Sequence, residues 1–198
     1  AIADTARLFT IFASPPEQTL EWSSDAMEGS HKFLKRLWNF CFMHKEKINK
    51  SSIDSAIALF GKNTDSLLRK QTYEILKQAD FDIKRYHFNT VVSASMKLLN
   101  TLEKTVSSNS NSFENQKSKL GKSNEYFVES ISILLRVLYP IAPHITENLW
   151  DKVGFVSVYG SLISSKWPEI DECALQQKEI EIVLQIDGKT RSNLKISA

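Results

Sequence analysis

The stretch over residues 126–138 constrains the fold most, because it is apolar on almost every side of a helix. Its apolar members are Phe127, Ile131, Ile133, Leu134, Leu135 and Leu138. A helix that is apolar all round has to be enclosed by other elements. Pro140 and Pro143 end this helix, and Pro143 suits the first position of the next one. The sequence therefore predicts a buried central helix inside a helical bundle.

Composition supports a mainly helical domain. Only 6 Gly and 5 Pro occur among 198 residues, which favours helices over a sandwich or barrel. Hydrophobic residues make up 42% and charged residues 24%, as is ordinary for a water-soluble globular chain. The sequence contains neither an apolar run long enough for a bilayer nor a signal peptide. Cys41 and Cys173 are too few for a disulfide framework, and we expect reduced thiols in a cytoplasmic protein.

Residues 25–47 are predicted to form an amphipathic helix with a basic side. Phe33, Leu34, Leu37 and Cys41 recur at intervals of three and four, which indicates one buried stripe. Lys, Arg and only one acid occur among the charged residues between positions 31 and 50. Such a local basic face attracts phosphate groups, although many basic helix faces are merely solvated.

Two further patterns predict local structure. Ile180, Ile182, Leu184 and Ile186 occupy every second position and alternate with Glu181, Val183 and Gln185, which predicts a strand. Asp187-Gly188 favours a tight turn into a return strand that begins around Leu194. We expect β structure also near Val156 and Tyr159. Ten of the eighteen residues in 107–124 are Ser or Asn, and this segment is predicted to be a mobile loop.

The sequence contains no recognisable catalytic motif: a glycine-rich phosphate loop, a Ser/His/Asp context and a Cys-x-x-Cys pair are all missing. His144 and Glu147 are three apart and could in principle hold a metal, but the sequence offers no third ligand. We therefore expect no catalytic, cofactor or metal site in this chain.

Several separated motifs resemble one family, the leucyl-tRNA synthetases of bacterial type. They read ADTARLF at 3–9, PPEQ-x-LEW at 15–22, FLKRLW at 33–38, FNT at 88–90, PIAPHITENLW at 140–150 and WP at 167–168, followed by DE at 171–172 and IDGKTR at 186–191. Valyl, isoleucyl and methionyl relatives share some of these, but PPEQ-x-LEW is similar to the leucine enzymes. The chain departs from the family at Ile2, which replaces Gly, and at Ser192-Asn193, which replace Gly-Lys.

The resemblance implies a fold of the class I aminoacyl-tRNA synthetase anticodon-binding type, a helical bundle with a small β hairpin at its C-terminus. Residues 1–24 would connect to a catalytic domain, 25–153 would form the helical domain, 154–178 would link, and 179–198 would begin a small C-terminal β domain. The family ligates leucine to its tRNA with ATP and Mg. Those cofactors, and the catalytic and editing domains, would belong to the rest of a monomeric, cytoplasmic parent chain, upstream of Asp4.

Nine residues are candidates for contacts. Cations and an amide suited to tRNA phosphates or sugars are Lys32, Lys35, Arg36, Arg85, Asn89, Lys189 and Arg191. Glu17 and Trp22 are candidates for docking against the catalytic domain. Asn89 has an alternative role as a helix cap, and Trp22 and Trp38 are expected in the core or in interdomain packing.

Two other functions stay open at this point. One is a helical protein-interaction scaffold without a nucleic-acid role. The other is the equivalent domain of a valyl- or isoleucyl-tRNA synthetase.

Overall fold

The computed structural model describes residues 2–14, 19–64, 66–110, 117–176, 179–186 and 189–197, and the side chains of these residues except 109–110, 117–123 and those beyond 176. Its α-helices are α1 (Ile2–Ala13), α2 (Ser24–Met43), α3 (Lys50–Ile57), α4 (Leu67–Lys84), α5 (Phe88–Ser110), α6 (Lys117–Leu138), α7 (Pro143–Lys152), α8 (Val156–Tyr159) and α9 (Glu172–Leu175). Two short 3₁₀ turns cover Lys45–Lys47 and Leu162–Ser164. The mainly helical class is confirmed.

Helix α6 lies at the centre of the bundle. Ile131, Leu134, Leu135 and Leu138 are all fully buried, in agreement with the apolar pattern of this segment. Helices α3, α4, α5 and α7 pack directly against α6, and α1 and α2 pack against each other and against α5 and α7. Pro143 occupies the first turn of α7 as predicted.

The strands β1 (Glu179–Ile186) and β2 (Lys189–Ser197) pair antiparallel. Their register shifts between Leu184 and Gln185, and Arg191 lies at this shift because its neighbours Ser192 and Thr190 pair with those two residues. The predicted Asp187-Gly188 turn lies outside the described residues.

The structure corrects the β assignment near Val156. Residues 156–159 form the short helix α8, although Val and Tyr favour strands. Tertiary packing decides the outcome: Phe155 stacks on the ring of Trp150 at 4.5 Å, and Tyr159 lies 5.4 Å from the same ring. A helical turn is what brings both aromatic rings onto one buried tryptophan.

The predicted loop at 107–124 is also wrong over much of its length. Helix α5 continues to Ser110 and α6 begins at Lys117. Extending an anchored helix requires no new nucleus, and the hydroxyls of Ser107 and Ser108 donate to carbonyls one turn earlier at 2.9 and 2.8 Å. Residues 111–116 lie outside the described part of the chain.

A buried ion-pair network joins α4, α6 and the start of α9 to the turn that contains Gly61. Arg69 of α4 is completely buried and donates to both carboxylate oxygens of Glu129 on α6, at 2.9 and 3.2 Å, and to Asp171 at 2.6 Å. Asp171 also accepts from the backbone N–H groups of Gly61 and Cys173, so it caps α9. Burial alone would lower the pKa of Arg69, but the two carboxylates outweigh it and the pKa is raised.

Candidate nucleic-acid interface

Helix α2 presents the predicted basic face. Ser23 caps the helix by accepting a hydrogen bond from Ala26 N–H at 3.3 Å. The apolar stripe faces the core, and the cations Lys32, Lys35 and Arg36 are all exposed on the other side. The structure therefore places these three candidates on one accessible helix.

Two of the three cations already have partners. Lys32 Nζ lies 2.8 Å from Glu28 Oε1, and this hydrogen bond and charge lower the pKa of Glu28. Arg36 reaches across to α5, where it lies 3.3 Å from Glu103 and donates to Asn100 at 2.6 Å. Lys35 forms no ion pair within the described part of the chain. An incoming phosphate could bind Lys35 directly but would have to compete with Glu103 for Arg36.

Sequence reasoning missed Phe42 and Lys45, which extend this face, whereas Trp38, expected in the core or in interdomain packing, is partly buried against the core. The rings of Trp38 and Phe42 stack with centroids 6.5 Å apart, and Lys45 Nζ lies 4.7 Å from the Phe42 centroid. Positions 35, 38 and 42 follow the three-and-four spacing of one side of α2, and Lys45 follows in the 3₁₀ turn after the helix; this spacing was the signal available in the sequence. Phe42 is 45% exposed, an unusual position for a phenylalanine. We name Lys35, Trp38, Phe42 and Lys45 the basic-aromatic strip.

The α4–α5 junction holds the next two candidates. Arg85 caps the end of α4, is exposed, and lies with its guanidinium 5.0 Å from the Phe81 ring centroid. Tyr86 adopts a left-handed backbone with φ of 61° and is 70% exposed. Asn89 lies in the first turn of α5, which begins at Phe88, so the cap position that we considered for Asn89 is wrong.

The two groups of candidates are separate patches. Asn89 and Asn100 are at different levels of α5, about 17 Å apart along the axis at 1.5 Å per residue. Asn100 is the residue that holds Arg36. The structure therefore spaces the patches along one long helix rather than joining them into a single pocket.

Four candidates remain, two near the C-terminus and two near the N-terminus of the sequence. Lys189 begins β2 opposite Ile186, and Arg191 lies at the register shift. Glu17 lies outside the described residues. Trp22 is not in the core: it is 71% exposed and contacts the edge of Phe9 at a centroid distance of 5.3 Å.

The His144–Glu147 pair has other partners than a metal. His144 Nδ1 lies 2.8 Å from Asp4 Oδ1, and Asp4 Oδ2 accepts the Ile145 N–H at 2.6 Å, so Asp4 ties α1 to the start of α7. Glu147 Oε1 accepts the Leu162 N–H at 3.1 Å. Among the described residues there is no group of three or more His, Cys, Asp or Glu suited to a metal ion. None of the helices in that part of the chain is both long and apolar enough to cross a membrane.

Comparisons with known proteins all give tRNA ligases. Residues 65–198 match the family described as the anticodon-binding domain of tRNA ligase. The leucine–tRNA ligase of Burkholderia multivorans is 44% identical over 195 residues, which is 98% of this chain and 21% of that protein. That of Ralstonia pickettii is also 44% identical, over 99% of this chain and 21% of its own length. The chain thus spans about a fifth of these relatives.

A solved structure has the same fold. It is the LeuRS of Agrobacterium radiobacter K84 in a ternary complex with tRNA and LeuAMS, with a TM-score of 0.68. The match covers 98% of this chain and 23% of that one, at 23% sequence identity. At this identity the likeness establishes the architecture of the bundle.

Proposed function

Because the chain belongs to the family of anticodon-binding domains of tRNA ligases, we propose that it is the tRNA-binding part of a leucine–tRNA ligase, a class I enzyme. The observation that carries the proposal is the 44% identity to such ligases over nearly the whole chain. This identity favours a ligase for leucine over one for valine or isoleucine. It also favours a nucleic-acid role over that of a protein-interaction scaffold.

In this proposal the chain binds tRNA and the rest of the ligase performs the chemistry. ATP and Mg would be held by the catalytic domain, and the editing domain would belong to the same monomeric, cytoplasmic protein. The hairpin of β1 and β2 would open a small C-terminal domain, with residues 1–24 as the connector. Glu17 and Trp22 would dock against the catalytic domain, and the high exposure of Trp22 supports this.

The contacts would be made to the tRNA backbone and shape. Leucine has six codons, so a protein that serves all its tRNAs gains little from reading anticodon bases. Lys32, Lys35 and Arg36 would bind phosphates, and the rings of Trp38 and Phe42 would pack on exposed sugars or bases. Arg85 and Asn89 would form a second contact, and Lys189 and Arg191 a third.

The test is a titration of leucine tRNA with the chain at several salt concentrations. Lys35→Ala/Arg36→Ala should weaken binding and lower the log–log salt slope by about 1.4 to 1.8, because each lost phosphate contact removes about 0.7 to 0.9. The matched control Lys62→Ala/Lys77→Ala removes two exposed charges elsewhere and should leave the slope close to that of the unmodified chain. Equal slopes for both double variants would exclude the α2 face as the binding surface.

A further inference from the structure

Tyr86 occupies a position in the turn between α4 and α5 that favours glycine. Its N–H donates to the Ile83 carbonyl at 3.1 Å, and the N–H of His87 donates to the Asp82 carbonyl at 3.0 Å. These two bonds form the Schellman motif that ends many helices, and the left-handed residue of the motif is Tyr86. Glycine is the usual residue there, because a Cβ atom disfavours this conformation. Ending α4 therefore does not explain a tyrosine at this position.

The Tyr86 ring does not serve the core either. It is 70% exposed and is not among the apolar side chains that pack on the core. Its ring meets that of Phe88 edge to face, with centroids 6.1 Å apart and planes at 70°. In such a pair Phe88 covers at most one face of the Tyr86 ring, so the other face is open to a flat ligand. A strained backbone that presents an open ring to solvent points to a binding role.

The surface around this ring suits an anionic polymer. The guanidinium of Arg85 lies 5.0 Å from the ring centroid of Phe81, which is itself 53% exposed. Arg85 forms no ion pair with any residue that the structure describes. Of the two nearby carboxylates, Asp80 is paired with Lys84 at 2.7 Å, and Asp82 is buried and accepts a hydrogen bond within α4. An incoming phosphate would thus meet an available guanidinium beside the open ring.

We propose that an unpaired base of the tRNA stacks on the ring of Tyr86 while Arg85 binds a neighbouring phosphate. This contact rests on the proposed tRNA-binding function and identifies what the α4–α5 junction would hold, namely a base outside the double helix. In a duplex the neighbouring base pairs cover both faces of a base, whereas a base in a loop or bulge can turn one face to an aromatic side chain. Stacking accepts every base, because each has a π-face.

Tyr86→Gly is the decisive variant, since glycine keeps the Schellman motif and removes only the side chain. Leucine tRNA should bind this variant about five- to 150-fold more weakly, the range expected for the loss of one stacked base. The log–log salt slope should remain that of the unmodified chain, because no phosphate contact is lost. The conservative variant Tyr86→Phe should restore the affinity, since stacking requires the ring and not the hydroxyl. Filter-binding titrations at several salt concentrations measure both quantities.

A long, fully paired RNA duplex separates stacking from other uses of the ring. It offers phosphates but no unpaired base, so Tyr86→Gly and the unmodified chain should bind it equally well. Arg85→Gln should behave differently and lower the salt slope with tRNA by about 0.7 to 0.9, because it removes a phosphate contact. Phe60→Ala removes an exposed ring from the turn after α3 and is the control that should bind tRNA normally.

Urea denaturation shows whether the turn survives the substitution. Tyr86→Gly should be no less stable than the unmodified chain, because the lost ring is exposed and glycine relaxes the left-handed residue. Failure of the unmodified chain to bind leucine tRNA would refute the proposed function and this contact together. If the unmodified chain binds, an equal affinity of Tyr86→Gly for tRNA, or an equal loss of affinity for the duplex, would overturn the stacking contact alone.

Discussion

Arg69 and Arg36 have similar partners in very different surroundings. Each arginine reaches a glutamate on a neighbouring helix, Glu129 for Arg69 and Glu103 for Arg36, at about 3 Å. The Arg69 side chain is 0% exposed and that of Arg36 is 46% exposed. Breaking a buried pair leaves one charge buried without a partner, whereas water replaces a lost partner at the surface at little cost in free energy. Burial therefore makes the first pair structural and leaves the second free to exchange its glutamate for another anion.

The largest expected effect is on stability. Arg69→Met should lower the free energy of unfolding by about 3 to 5 kcal/mol, because Glu129 and Asp171 would remain buried without their cation. Arg36→Met should cost less than about 1 kcal/mol. Urea denaturation of both variants measures the difference. Similar losses in the two would mean that burial does not separate the pairs.

The next largest effect concerns the exposed aromatic ring of Phe42. Phe42→Ala should weaken tRNA binding by about 1 to 3 kcal/mol if a base stacks there. Phe60→Ala, which removes a ring of similar exposure that does not belong to α2, is the control and should bind tRNA normally. Filter binding with leucine tRNA measures the affinity of both variants. A normal affinity for Phe42→Ala would mean that only the cations of this surface contact tRNA.

A smaller effect tests whether Arg36 exchanges partners. Glu103→Gln removes the charge that competes with phosphate and keeps the size of the side chain. Affinity for tRNA should rise severalfold at low salt, while stability changes by less than about 1 kcal/mol. A fall in affinity would instead indicate that Glu103 orients Arg36 for binding.

The smallest effect is a pH dependence at the end of α2. Burial lowers the pKa of His44, and the charge of Lys47 adds to this; the ring packs edge-on against Phe40 and Phe127. Protonation of His44 is therefore less favourable in the folded chain than in the unfolded one. The stability that the neutral ring contributes is fully present above about pH 6.5 and is lost as the pH falls toward the lower folded pKa.

His44→Gln should remove that part of the pH dependence, as measured by urea midpoints on either side of about pH 6.5. His31→Gln changes an exposed histidine on the same helix and serves as the control. An unchanged pH dependence in His44→Gln would assign the effect to other groups.

Local patterns predicted the helices better than they predicted what ties them together. The burial of α6 and the place of Pro143 in the first turn of α7 could be predicted, because each depends on the sequence of a single helix. The strip of Trp38 and Phe42 could have been found from spacing, but its exposure depends on where α2 packs. At Val156 the local pattern was wrong: its strand preference is overridden because the rings of Phe155 and Tyr159 pack against Trp150.

Long-range polar contacts were beyond the reach of the sequence. Nothing near Arg69 indicates that its carboxylates lie at positions 129 and 171, and nothing near Asp4 indicates that it caps α7. Such sites are products of topology, because the residues that form them are distant in the chain.

Asp171 has a consequence for the dynamics of the bundle. A helix of four residues such as α9 would ordinarily fray, and its amide protons would exchange with solvent through brief local openings. The Cys173 amide, however, is bonded to a carboxylate that Arg69 holds, and the Gly61 amide shares that carboxylate. Opening either amide removes a hydrogen bond from the buried carboxylate that, together with Glu129, pairs with Arg69. Deuterium should therefore enter both positions at one slow rate, set by cooperative unfolding of the core, so that a short surface helix reports the stability of the whole bundle.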